Sequence, residues 1–326
     1  MTKKERLMAV LNHQQPDHIP VGFWFHFPGE DGIGEKCVKA HLDYYRETDI
    51  DFVKIMSDHL GYPLRCEIGS ADDWFRVEPL PENDPFFRDT VERCRAINDV
   101  LQDECYTFYT FFSPVNIVRE RDVFTADALQ GRNYNAVVAE HIRQNPEAIA
   151  HAMRVIAEDH VKLAEMVIRE GGCLGVYQSL QGAEHGWLTE AEYNSVVKPS
   201  DLIQIEGINR VSRYNILHMC SWAGTPNHLS YWKDYPCAAR NWGTGVEGLS
   251  LAQGLGFFGQ DAVMLGGMDN RTGHPMVSGT REEIRAAVRQ VRSEMKDVPF
   301  ILGADCTLPA TIDRNHIRWA VEAARE

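Results

Sequence analysis

Eight times along this chain a short apolar, β-branched or aromatic run is followed by a longer stretch with helical spacing, and that alternation limits the fold more than any other feature. The spacing predicts strands at Ile19–Trp24, Phe52–Met56, Thr107–Phe112, Leu174–Ser179, Asn215–Cys220, Ala238–Trp242, Ala262–Gly267 and Phe300–Asp305. The clearest predicted helices are Pro146–Glu170, Glu190–Arg213, Arg281–Lys296 and Arg314–Ala324. The first of these has Asn145 as N-cap, proline at the first helical position and the pair Gly171-Gly172 as a stop. Repeated strand–helix alternation implies a parallel sheet, and eight units favour a closed (β/α)8 TIM barrel over an open doubly wound sheet. A charged segment with amphipathic spacing, from Met1 to Leu11, precedes the first strand as an N-terminal helical extension. The 326 residues would allow two average domains. They also suit one barrel, and a single domain spanning 1–326 is expected.

The chain carries 33 Lys and Arg against 47 Asp and Glu, a net charge of −14. That surface repels phosphate backbones, which argues against a nucleic-acid partner. No run of 18 apolar residues is present, so no membrane span is expected, and the N-terminus lacks the apolar core of a signal peptide. A cytoplasmic, reducing location follows as the expectation, with the 8 cysteines as thiols or metal ligands; none of them forms a CxxC pair.

A barrel places its functional residues at the C-terminal ends of its strands. The fifth predicted strand runs into His218, Met219 and Cys220, and the eighth brings Cys306 to its end. Residues two apart in an extended chain share a face, so His218 and Cys220 point together. An imidazole and two thiolates converging at the mouth make a three-ligand zinc site with an open fourth position. Taken alone, a His-x-Cys pair is weak, because buried cysteine usually packs as a small hydrophobe. Its position at the predicted mouth is what raises it.

The opening ERLMAVLNHQQPDHIPVGFW, the segment IMSDHLGYP ending its strand in Asp58, and the segments VMLGGMDNRTG and FILGADCTLP resemble the uroporphyrinogen decarboxylase superfamily over nearly the whole chain. The resemblance implies a (β/α)8 barrel and one of two chemistries. The decarboxylases are marked by an arginine-rich loop after the first strand that holds the porphyrinogen carboxylates. Here that loop reads FWFHFPGEDG, with His26, Glu30, Asp31 and no arginine, which disfavours a polycarboxylate substrate. The other branch, cobalamin-dependent methyltransferases, is marked by His-x-Cys after the fifth strand and a cysteine ending the eighth, and His218, Cys220 and Cys306 match it. The resemblance therefore implies a zinc-dependent methyltransferase that moves a methyl group from a corrinoid (cobalamin) protein to a small thiol such as coenzyme M or homocysteine. Zinc would convert that thiol into its nucleophilic thiolate.

Around these three, Glu184 is a candidate displaceable ligand, with His185 beside it as the weaker alternative. His26, Asp58, Asp269 and Asn270 are candidate polar substrate contacts. Tyr177, Gln178, Asn241 and Trp242 lie near strand ends, as mouth or as core. The sequence has no DxHxxG corrinoid-binding signature, so the corrinoid is expected on a partner docking over the mouth, where FWFHFPG and SWAGTPNHLSYW supply aromatics. The competing readings are a decarboxylase-type lyase and a non-catalytic barrel that captures a corrinoid or tetrapyrrole.

Overall fold

The computed structural model describes residues 1–221, 224–260 and 262–326. Its sheet has eight strands: β1 (Val21–Gly22), β2 (Phe52–Ile55), β3 (Tyr106–Phe112), β4 (Gly175–Leu180), β5 (Ile216–Met219), β6 (Ala239–Trp242), β7 (Val263–Met268) and β8 (Phe300–Ala304). All pairings are parallel and run in the order β1-β8-β7-β6-β5-β4-β3-β2, with helices between the strands. This is the expected (β/α)8 barrel, nearly closed, with the helix Lys3–Leu11 ahead of it.

Each predicted strand has a counterpart, but the first is much shorter than its apolar run suggested. Only Val21 and Gly22 pair, and they pair with β8 alone. On the other side, the seam to β2 is closed by one backbone bond, Asp51 N to Val21 O at 2.8 Å. The Asp51 carboxylate accepts from the Val21 amide at 2.8 Å and so takes the place of a ladder acceptor. Arg6, on the N-terminal helix, donates to the same carboxylate at 2.6 Å. The extension therefore locks the seam. Gly22 is required there, because a Cβ would lie 2.1 Å from the Phe52 ring.

The helix predicted from Asn145 forms over Pro146–Arg169, with the Asn145 side chain accepting from the Ala148 amide. The predicted helix Glu190–Arg213 is interrupted. It begins as Glu190–Glu192, widens into a π turn at Tyr193–Val197 and resumes at Lys198–Val211. Pro199 explains the break: it has no N–H to donate, and its ring crowds the carbonyl four residues earlier. Among the described residues no helix is long and apolar enough to cross a membrane.

Candidate functional site

Side chains alternate along a strand, so β4 and β5 each send every second residue into the barrel. Tyr177, Ser179 and His218 point inward and line a cavity of about 680 Å³ at the C-terminal end of the strands. Cys220 lies one residue past β5 and Cys306 two past β8, slightly beyond the strand end expected for it. Both still reach the cavity.

His218 Nε2 is 3.3 Å from Cys306 Sγ, and Cys306 Sγ is 4.0 Å from Cys220 Sγ. One ligand atom from each of the three lies within 4.8 Å of the others. Tetrahedral zinc with ordinary bond lengths spaces its ligand atoms by roughly 3.6–3.8 Å, so the donor set and the spacing fit that ion. The Cys306 thiol is held well below its usual range, first by its hydrogen bond with Cys220 and then by the nearby imidazole, against the opposing effect of burial. Among the described residues no disulfide forms.

A second buried histidine shows what a structural imidazole looks like in this fold. His41 meets the Cys37 carbonyl through Nδ1 at 2.7 Å and accepts from the Met56 amide through Nε2 at 3.0 Å, so both nitrogens are used. His218 is equally buried, yet its Nδ1 has no partner among the described residues. Its contacts are Cys306 and the stacked ring of Tyr177, with centroids 5.6 Å apart. A buried polar nitrogen without a partner is costly, and it sets this histidine apart from a core one.

The other sequence candidates divide sharply. Glu184 is buried, but its carboxylate accepts from Arg119 at 2.8 Å and from the Gly182 amide at 3.0 Å, and it stands outside the metal-sized cluster. His185 stacks on His228 with centroids 4.1 Å apart, away from the cavity lining. His26 lines the cavity and pairs through Nδ1 with Asp58 Oδ1 at 2.5 Å, while Asp58 Oδ2 accepts from the Phe27 amide. Asn270 lines the cavity and donates to the Thr307 carbonyl, whereas Asp269 is turned to Arg271 and His274. Asn241 is fully buried, accepting from the Tyr177 hydroxyl at 2.6 Å and donating to the carbonyls of Leu265 and Ala304. Gln178 is buried and outside the cavity lining, and Trp242 packs against Gly254 on the helix Leu251–Phe258.

The aromatics expected at the mouth are placed differently. Phe25 and Phe27 are buried against Tyr44 and His41, because the FWFHFPG loop folds its rings into the core. Trp232 is buried and donates to the Tyr193 hydroxyl; Trp222 lies outside the described residues. The cavity's aromatic lining comes instead from Phe112, Tyr134 and Tyr177.

Two residues missed by the motif reading matter here. Arg119 lies between the ring of Trp187, 4.1 Å away, and the carboxylate of Glu184. Lys54, in the middle of β2, points into the cavity floor and is only 6% exposed. A lysine inside the run Phe52–Met56 was the available signal, since a buried parallel strand otherwise reads as continuously apolar.

The family model for uroporphyrinogen decarboxylase matches residues 126–326. No curated protein matches the sequence significantly. Among solved structures, a methyltransferase from Methanosarcina mazei aligns over 99% of this chain and 98% of its own, with TM-score 0.76 and 15% identity. A B12-independent methionine synthase from Shewanella sp. W3-18-1, in complex with selenomethionine, aligns over 94% of both chains with TM-score 0.53 and 12% identity. Endo-glycoceramidase II from Rhodococcus sp. aligns over 93% of this chain and 78% of its own with TM-score 0.54 and 10% identity. At these identities the likeness is one of fold.

Proposed function

This chain belongs to the uroporphyrinogen decarboxylase family, and from that premise we propose that it is a zinc-dependent methyltransferase passing a methyl group from a methyl-corrinoid protein to a small thiol. The observation that carries the reading is the convergence of His218, Cys220 and Cys306 in one cavity at the barrel mouth. The methyltransferase among the similar structures supports methyl transfer as an analogy of fold, and so does the methionine synthase, which is B12-independent and lends nothing to the corrinoid donor.

His218, Cys220 and Cys306 would hold the zinc, leaving one position for substrate. When bound, zinc supplies a lowered thiol pKa and fixes the sulfur of the substrate in place. The rest is the work of the chain. Tyr177 stacks on His218 and is itself anchored by its hydroxyl bond to Asn241, so the imidazole plane is fixed from below. The buried floor excludes water from the sulfur and keeps it nucleophilic. The His26–Asp58 pair, on the cavity wall, gives the departing thiol proton a route to solvent through a half-exposed imidazole. Transfer forms a sulfur–carbon bond as the bond from the methyl carbon to its donor breaks, and the bonding pair leaves with the donor.

The reading is favoured over a porphyrinogen decarboxylase by the cations available. Among the described residues, three basic side chains other than histidine line the cavity, and two of them are already paired: Arg119 with Glu184 and Arg271 with Asp269. A substrate with many carboxylates would meet one uncommitted cation. The test is incubation of zinc-loaded protein with methylcobalamin and a panel of thiols, following thioether by mass spectrometry. Thioether formation that disappears in Cys220→Ala supports the proposal, and porphyrinogen decarboxylation without thioether overturns it.

A further inference from the structure

Two of the three clustered ligands stand beyond the strands that carry them. The sheet's backbone bonds reach Cys220, whose amide donates to the Leu180 carbonyl, and Asp305, just before Cys306, whose amide donates to the Met268 carbonyl. One short segment after β6, the helical turn Thr244–Glu247, bonds to the chain beside both thiols. At its far end the Glu247 carboxylate accepts from the Ser221 hydroxyl at 2.5 Å, from the Asn227 amide at 2.9 Å and from Asn227 Nδ2 at 2.8 Å. Asn227 Nδ2 also donates to the Cys220 carbonyl at 3.2 Å, so Glu247 reaches that ligand's main chain through one intermediary. At the near end Thr244 Oγ1 and the Gly245 amide donate to Asp305 Oδ2 at 2.6 and 3.1 Å, while the Gly267 amide donates to Asp305 Oδ1 at 3.2 Å. Asp305 is buried and outside the cavity lining, whereas Cys306 is part of it, so anchor and thiol lie on opposite sides of the chain. A Cβ on Gly245 would lie 2.4 Å from Asp269 Oδ2, and the absence of one lets the turn approach this closely.

We propose that Glu247 and Asp305 are positioning residues for the metal centre: neither is a ligand, but through the turn Thr244–Glu247 they set the spacing and aim of the Cys220 and Cys306 thiolates. The proposal rests on the zinc reading above and adds to it the part of the chain that shapes the centre. Convergence is the argument. β6 lies beside β5 and two strands from β8, yet the turn that follows it grips the residues adjoining both thiols. The two carboxylates give their oxygens to loop amides and hydroxyls, which fixes the direction of each loop, and both stand outside the metal-sized cluster. The thiols are left 4.0 Å apart, close to the roughly 3.8 Å that two sulfurs on tetrahedral zinc require. A slight shift of either loop would therefore be felt in the geometry of the bound ion.

The experiment loads cobalt(II) into the metal-free full chain as a spectroscopic probe and measures zinc affinity by competition with a chromogenic chelator. Three variants are compared with the parent. Glu247→Gln keeps the shape but turns one acceptor into a donor, Thr244→Val removes a donor to Asp305, and Thr244→Ser restores it. At saturating cobalt each should bind about one ion per chain, because the three ligands remain. The proposal expects the visible d–d bands to move and weaken in Glu247→Gln and in Thr244→Val, with zinc affinity lower by about tenfold or more. Thr244→Ser should return both readings toward the parent. Saturation removes any effect of stability on occupancy, so the bands report ligand geometry, which a merely structural role would leave unchanged. Thermal melting checks that each variant folds, and the Thr244 pair decides the Asp305 arm even where Glu247→Gln does not. Parent-like bands and affinity in Glu247→Gln or in Thr244→Val overturn the proposal, as does a folded Glu247→Gln that binds no metal, which would make Glu247 a ligand. A parent protein that takes up neither zinc nor cobalt overturns the zinc reading itself, whereas a metal-binding parent with insensitive variants removes only the positioning role.

Discussion

His218 Nε2 and Cys306 Sγ lie 3.3 Å apart although 88 residues separate them in the chain, and no disulfide or backbone hydrogen bond joins those two residues. Barrel closure brings them together. β5 and β8 are not neighbours in the sheet, so the two side chains meet only across the barrel mouth. A contact of this kind brings together polar, ionisable groups that hydrophobic burial would not by itself gather.

The Arg119–Glu184 pair, at 2.8 Å with both side chains largely buried, is expected to act as a structural clamp on the mouth. Removing one partner of such a pair leaves a buried charge uncompensated, at a cost of about 3–5 kcal/mol in the fully buried case. Glu184→Gln should therefore lower unfolding stability by roughly 2–4 kcal/mol in denaturant titration, with bound zinc unchanged. A fall in zinc would make Glu184 a metal ligand.

Lys54 predicts an alkaline signature. Its folded value is lowered from 10.5 to about 8, so between those limits the unfolded chain binds the extra proton. The unfavourable charge is fully present below pH 8 and fades as pH rises to 10.5, and the parent protein gains stability over that window. The shift corresponds to about 3 kcal/mol at most. Measured as a difference, Lys54→Met should be the more stable protein at pH 7, with the advantage shrinking by pH 10. A constant difference across that range would contradict it.

His41 and His160 predict the acid side. Both are fully buried, and burial lowers each to about 4. Their neutral forms stabilise the fold above pH 6.5, and that contribution is lost as pH falls toward 4. Asp201 works in the opposite sense. Burial raises it to about 7, so its cost grows as pH rises from 3.8 to 7. Side-chain NMR at pH 5 should find both histidines still neutral, and titration of either near pH 6.5 would contradict their assigned environment.

Most of the barrel was legible because it is written in local pattern: apolar runs between helical stretches, Asn145-Pro146 opening one helix, and His218 and Cys220 on one strand face. What was not legible depends on partners distant in sequence. Val21–Gly22 is short because Asp51 and Arg6, not a neighbouring strand, complete its far side. The aromatics of FWFHFPG read as mouth residues because sequence gives their apolarity but not the direction in which their loop turns. Lys54 stands in the sequence as one lysine inside an apolar run, but its place on the cavity lining between the rings of Trp24 and Tyr177 depends on partners distant in sequence.

The most direct test of the account is metal content of the purified parent protein beside a Cys306→Ala variant with an unchanged far-ultraviolet dichroism spectrum. The account predicts about one zinc per chain in the parent and almost none in the variant. Zinc-free parent protein after metal-replete expression, or zinc retained in full without Cys306, would contradict it.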